Sequence, residues 1–130
     1  MPAGEALSPT ERLRVERAVE VAEELSGLTF SVFLGTARGE PRRYAEQLHE
    51  GLPEPEDSVL VLCEPGARAL EIVTGSRVRR VLDDYDCRLA AMSMQSSFQA
   101  GDVIGGLVNG VHQLGQSARH PETLHTSRQG

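Results

Sequence analysis

Asp83, Asp84 and Asp86 place three carboxylates within four residues. Carboxylate oxygens are the ligands that Ca²⁺ and Mg²⁺ prefer. Arg77, Arg79 and Arg80 stand just before them and could hold an anion beside such a cation. A cation that activates water, next to a steadied phosphate, is the core of a phosphomonoesterase. The stretch TGSRVRRVLDDYDCRL therefore admits a cation site at Asp83, Asp84 and Asp86. It also admits a phosphatase in which Arg38 or Arg77 steadies the phosphate. A third reading needs no ligand. If a helix starts near residue 84, Asp83 or Asp84 caps it, and Asp86 in the first turn meets the positive end of the helix dipole. We favour capping, because Asp is so strongly preferred at helix starts. The spacing does not fit an EF-hand loop, since no glycine stands sixth and no glutamate closes the frame. If the helix reached back to residue 79, Arg79 would pair with Asp83 and Arg80 with Asp84, in the weaker orientation for such pairs.

Other candidate groups are scattered. Cys63 and Cys87 lack CxxC spacing and each lies in an apolar run, as structural thiols do. His49, His112, His120 and His125 do not cluster, and His112 reads as a structural side chain of a helix. There is no G-x-S-x-G, no H-E-x-x-H and no glycine-rich phosphate loop after a strand. The run GGLVNG falls inside a helix. No residue is marked as a nucleophile, so no catalytic residue is assigned. No organic cofactor is expected, and Ca²⁺ or Mg²⁺ is the one inorganic candidate.

The composition excludes some classes outright. The chain has 130 residues, enough for one domain, a net charge of −6 and only 4% aromatic residues. A dedicated nucleic-acid binder needs basic surface and stacking platforms, so no nucleic-acid partner is expected. All 13 positive residues are arginine, the mark of a GC-rich genome, and the lack of lysine removes a P-loop or Schiff-base lysine. No run reaches the ~18 apolar residues of a membrane span. The start, MPAGEALSPTERLR, has no apolar signal core. A cytoplasmic protein without a transmembrane segment is the expectation.

The elements that must position these groups are legible. SPTE places Ser8 at an N-cap, Pro9 at the first helical position and Glu11 at the third, a capping box. Val15, Ala18, Ala22 and Leu25 follow at helical spacing, and Gly27 supplies a left-handed stop. LTFSVFLG alternates like a strand, with Phe30, Val32 and Leu34 on one face. GEPRRYAEQLHEG reads as a helix that buries Tyr44 and Leu48. SVLVLC is apolar throughout, as a strand covered on both faces must be. A turn at Pro65 and Gly66 leads to ALEIVTG, a strand whose Glu71 suggests a sheet edge. Strand, helix, strand implies a right-handed parallel crossover, and the turn adds an antiparallel neighbour, so residues 58–63 take the middle of a small mixed sheet. Two helices follow, at 84–98 and 102–117. The last carries Val103, Leu107, Val111 and Leu114 on one face and a close-packing pair, Gly106 and Gly110.

The helix at 84–98 has two apolar sides. Tyr85, Leu89 and Met92 lie on one, and Cys87, Ala91, Met94 and Phe98 on nearly the opposite one. Both sides are expected to be covered, one by the sheet and the other by the final helix or a second subunit. A monomer is favoured, with a homodimer through the Met94 and Phe98 face as the alternative.

The stretches SGLTFSVFLG, YAEQL, SVLVLCEPGARALEIVTG and VRRVLDDYDCRLAAMSMQSSFQAGDVIGGLVNGV, in this order, resemble the TPM domain over residues 8–117. The nearest likeness is to its soluble, uncharacterised actinobacterial branch. The carrying motifs are the strand that ends in TG, the acidic residues after it, and Phe98, Gly101, Asp102, Gly106 and Gly110. The resemblance implies an α/β/α sandwich with a small mixed sheet, divalent-cation binding through acidic loops in some members, and an acid phosphatase activity in a thylakoid member. Asp83, Asp84 and Asp86 match the acidic stretch. The loop GTARGEP offers Glu40 as its one carboxylate, where a family site would draw ligands from more than one loop. A short helix over 76–82 would bring Asp83 part-way back towards Thr36 and Arg38.

The expected layout is thus an extension over 1–7, the α/β/α domain over 8–117 and a disordered tail over 118–130. The leading functional reading is a non-catalytic binding or interaction module with a protein partner. Cation binding and metal-assisted phosphatase activity are the alternatives.

Overall fold

The first helix begins as its capping residues dictate. In the computed structural model, which describes residues 7–64 and 69–119, α1 runs over Pro9–Ser26. Ser8 Oγ accepts from the Glu11 N–H at 3.1 Å, and Glu11 Oε1 accepts from the Ser8 N–H at 2.9 Å. Gly27 ends the helix at φ +77°, a conformation that costs a residue without Cβ nothing. The turn expected at Pro65 and Gly66, residues 1–6, and residues 120–130 with His120 and His125 lie outside the described residues. Ala118, expected to open the tail, is buried at the end of the last helix.

Strand β1 (Thr29–Leu34) pairs in parallel with β2 (Ser58–Glu64) after a crossover through α2 (Pro41–Glu50). Strand β3 (Ala69–Thr74) pairs antiparallel with β2, which gives the order β1-β2-β3. The unbroken apolar run of β2 is buried from Ser58 to Cys63. Successive side chains of a strand point to opposite faces, so this run feeds two cores. Val59, Val61 and Cys63 join Phe30 under α1 and two later helices. Leu60 and Leu62 join Val73 and Ala45 beneath α2. The architecture is an α/β/α sandwich around a small mixed sheet.

The two later helices are α3 (Asp84–Gln99) and α4 (Val103–Ser117). Leu107, Val111 and Leu114 of α4 are fully buried, and α4 packs between α1 and α3 because its glycines allow it. A Cβ on Gly106 would lie 2.8 Å from Ser97 Cβ, and one on Gly110 would press into the Met94 side chain. A third glycine does the same against α1, since a Cβ on Gly115 would lie 2.8 Å from Ala22 Cα. Gly106 and Gly110 stand out in the sequence by their spacing, and Gly115 does not.

The expectation that α3 is covered twice needs correction. Met94 is 0% exposed against α4, and Phe98 is half-buried beside Gly106. Of the face named for a homodimer, Met94 is thus wholly covered within the chain and Phe98 partly so. The opposite side is open: Tyr85, Leu89 and Met92 are 60%, 39% and 63% exposed. One apolar stripe of α3 serves both the sheet and α4, because Gly106 and Gly110 bring α4 in beside it.

Candidate functional site

The three aspartates occupy one helix start. Asp83 is the N-cap of α3, and its Oδ1 accepts from the Asp86 N–H at 2.9 Å. Asp86 Oδ2 accepts in return from the Asp83 N–H at 3.1 Å. This is a capping box with aspartate at both corners, a variant of the usual Ser/Thr with Glu/Gln. Each carboxylate thereby satisfies a backbone donor that the helix cannot, and Asp84 stays exposed in the first turn. Among the described residues no group of three or more His, Cys, Asp or Glu side chains is arranged to hold a metal ion. In this geometry the three aspartates do not fit a shared cation.

Two substitutions separate the roles. Asp83→Ala removes the cap and should cost about 1 kcal/mol in urea unfolding, whereas Asp83→Asn caps nearly as well and should cost a few tenths. A Ca²⁺-dependent rise in melting temperature that Asp83→Asn abolishes would restore the cation reading.

The arginines are also committed locally. Arg77 Nε and its terminal nitrogen each donate to one Asp57 carboxylate oxygen at 2.8 Å. That pairing holds the Asp57 carboxyl below its ordinary pKa and raises that of Arg77. Arg79 donates to the Thr74 carbonyl at 2.6 Å, and the expected pairs of Arg79 with Asp83 and Arg80 with Asp84 do not form. The reason is that no α-helix reaches back to them: the segment holds one 3-10 turn, Val78–Arg80, before α3 restarts. The Arg77 N–H donates to the Glu56 carbonyl at 3.0 Å, which keeps this segment at the Ser58 end of the sheet. Arg38 is exposed in the loop at the other end, so the two candidate anion ligands lie apart.

The thiols and the described histidines, His49 and His112, have local surroundings that can be read directly. Burial pushes the Cys63 thiol up to about 12. Burial, with Asp84, Asp86 and Asp83 nearby, pushes Cys87 up to about 11. Neither is a thiolate at neutral pH, and the thiolate is the nucleophile. His49 is buried, with Nε2 3.0 Å from the Ser58 carbonyl oxygen, so that nitrogen must donate and the ring ties α2 to the sheet. His112, expected as a structural side chain, is exposed.

What distinguishes the surface is the sheet's two edges. On β3 two of the three outward carbonyls are covered: Arg42 donates to Ile72 O at 2.9 Å and Arg79 to Thr74 O. Arg42 also reaches Glu71 at 3.4 Å, the residue that marked this strand as an edge. Charged side chains over an edge strand are a known guard against pairing with other chains. Among the described residues no arginine lies over the β1 edge in this way. Gly35 N–H donates to Cys63 O at 3.1 Å, and Phe30 N–H donates to Glu23 Oε2 at 3.0 Å. Residues of odd number therefore turn their backbone to β2, and those of even number turn outward. Among the described residues the Phe30 carbonyl and both backbone groups of Val32 and Leu34 have no partner.

A groove of about 650 Å³ lies against this open edge. Val15 and Val19 of α1 line it with Val32 and Leu34, and all four are half-buried. Arg12, Glu16 and Glu20 supply its charge. A second cleft of about 430 Å³ takes in Cys63, Glu64 and Phe98. Its carboxylate, Glu64, is engaged by the Ala37 N–H at 3.2 Å. The sequence missed the groove because an open edge appears only once strand order is known. Nothing in the sequence singles out Glu23, which accepts from the Phe30 N–H.

This is an α/β sandwich domain with a groove of about 650 Å³ along one sheet edge. Residues 2–115 match a domain of unknown function, DUF5130, and the chain belongs to that family. It is 24% identical over 100 residues to the uncharacterised proteins MT2543 and Rv2468c of two Mycobacterium tuberculosis strains, covering 77% of this chain and 60% of each relative. The chain thus spans about three fifths of those relatives' length. The NMR structure of BA42 from the psychrophilic bacterium Bizionia argentinensis superposes with a TM-score of 0.78 at 19% identity, over 87% of this chain and 81% of that one. The N-terminal domain of cg2496 from Corynebacterium glutamicum gives 0.72 at 13% identity, over 88% and 75%. At these identities the likeness concerns the fold. No helix of the described residues is long and apolar enough to cross a membrane.

Proposed function

We propose that this chain is a TPM-like, non-catalytic interaction module that works in the cytoplasm as a monomer and binds its partner in the α1–β1 groove. The observation that carries this reading is the asymmetry of the sheet edges. Arg42 and Arg79 cover two outward carbonyls of β3, while on β1 the Phe30 carbonyl and the backbone groups of Val32 and Leu34 have no partner among the described residues and lie beside a groove of about 650 Å³. Proteins blunt an edge that has no use, so an edge left open beside a half-apolar wall is a surface for something. The capped aspartates, the protonated thiols and the Arg77–Asp57 pair leave no comparable set of reactive groups among the described residues. The burial of Met94 and Phe98 within the chain supports the monomer.

A photo-crosslinking residue at Arg12 or Val19 should capture a discrete partner in cells. The same residue at Gln47, exposed on α2, should not. Equal adducts from Gln47, or adducts from Met92 alone, would move the binding surface elsewhere and end this reading.

A further inference from the structure

We infer that the occupant of the groove is an extended peptide that adds to β1 as a fourth strand and carries a basic residue for Glu16 and Glu20. This rests on the groove reading above and deepens it. Three features of the molecule converge on it. The first is the row of backbone groups that have no partner among the described residues. The Phe30 carbonyl and the N–H and C=O of Val32 and Leu34 repeat at every second residue, the pattern that a further strand pairs with. The Phe30 N–H is withheld, because Glu23 already accepts it. That fixes the lower limit of the pairing at Phe30 and keeps the interior of β1 open.

The second feature is the wall above that row. Val15 and Val19 stand one helical turn apart, roughly 5–6 Å between their Cβ atoms. Alternate side chains of an added strand repeat at roughly 7 Å, so its inward residues can pack about these valines. They are half-buried with room beside them, whereas Ala18 and Ala22 of the same helix are buried in the core. Strand addition thus gives backbone pairing on one side and apolar contact on the other, the combination by which such grooves select extended peptides.

The third feature is charge. Glu16 and Glu20 line the groove, are exposed, and form no ion pair among the described residues. The other carboxylate at this edge, Glu23, is held by the Phe30 N–H. Arg12, the one cation on the wall among the described residues, lies a turn before Glu16, towards the start of α1. A cation on the peptide is favoured beside Glu16 and Glu20, and an anion there is repelled.

The test uses an acetylated, amidated heptapeptide of alternating valine and threonine with an arginine at one end. Two N-methylated forms are compared with it, one methylated on every valine and one on every threonine. Amide exchange of the free protein should be fast at Val32 and Leu34. Saturating parent peptide should slow it at least roughly tenfold, with chemical-shift changes at residues 30–34 and at the Val15 and Val19 methyls. Only one phase of N-methylation should abolish binding, since an added strand points alternate N–H groups towards β1. Val32→Pro removes an outward N–H that no β2 residue uses, which an edge strand tolerates, and it should lose binding while staying folded. Ending the peptide in glutamate should weaken binding several-fold, and the double variant Glu16→Arg, Glu20→Arg should reverse that preference. If both methylated forms bind as the parent does, side chains hold the ligand and strand addition is wrong. Crosslinks from Arg12 and Val19 would then persist and the groove reading would stand. No shift at residues 30–34 up to millimolar peptide would also overturn the inference. So would protection of Val32 and Leu34 that appears without peptide and rises with protein concentration, because a second copy would then be the occupant.

Discussion

Met94→Glu should unfold the domain or lower its stability by roughly 4 kcal/mol or more, since an unpaired buried charge costs several kcal/mol even after relaxation. Met94 has no exposed surface, and the backbone of Gly110 closes over its side chain. The introduced carboxyl finds neither a cation nor water there. Typical domains have only 5–15 kcal/mol in hand, so a loss of this size shows as a large drop in the urea midpoint. The loss should also depend on pH in a defined direction. Burial raises the carboxyl's folded pKa above its unfolded value, so the variant is most stable below about pH 4 and loses stability as the pH rises towards that folded value. Met94→Leu, which nearly conserves volume, should cost less than about 1.5 kcal/mol. A Met94→Glu variant that keeps its melting temperature and its sedimentation mass would refute the packing of α3 under α4. A folded variant of smaller mass than the wild type would place Met94 in a subunit interface instead.

How the sequence revealed some of this and hid the rest has a physical basis. Local signals were legible because their partners are near in sequence. Ser8 with Glu11 announced α1, and the apolar run SVLVLC announced a strand with two covered faces. Gly106 and Gly110 announced a close helix contact, though not which helix Gly115 would meet. The aspartates were legible as a cap, but their mutual arrangement was not, because Asp83 paired with Asp86 is an uncommon spelling of the capping box. The α3 stripes misled because two apolar sides do not say which one a neighbour will cover. Leu89 and Met92 remain exposed because α4 and the sheet share the other side. Least legible were the edges. Arg42 guards β3 from thirty residues away in sequence, and an absence of guards on β1 has no sequence signature.

Gly75→Ala should be the most damaging small substitution in the chain, and nothing local in TGSRV foretells it. Gly75 is buried at the end of β3, where its N–H donates to Ser58 O at 3.0 Å. A Cβ there would fall inside the van der Waals radii of the Pro55 and Glu56 carbonyl oxygens. Both obstacles are backbone atoms, so no rotamer change relieves them. The end of β3 and the 3-10 turn at Pro55–Asp57 must separate, which strains the Arg77 N–H bond to Glu56 O and the Arg77 pair with Asp57. Overpacking by a methyl group costs typically 1–3 kcal/mol, and more where the neighbours cannot move. We expect about 3 kcal/mol and a fall of roughly 10 °C in melting temperature. Gly51→Ala is the matched control. Gly51 has φ −81°, and its nearest atom to a new Cβ is the Leu48 carbonyl oxygen at 3.6 Å, an ordinary contact. There the methyl group restricts the unfolded chain without straining the folded one and should raise stability by about 0.4–1 kcal/mol. Two glycine-to-alanine changes of opposite sign, read in one urea series, test whether the Pro55 and Glu56 backbone sits directly on Gly75. Equal, small effects at both positions would mean that β3 leaves the sheet by another path.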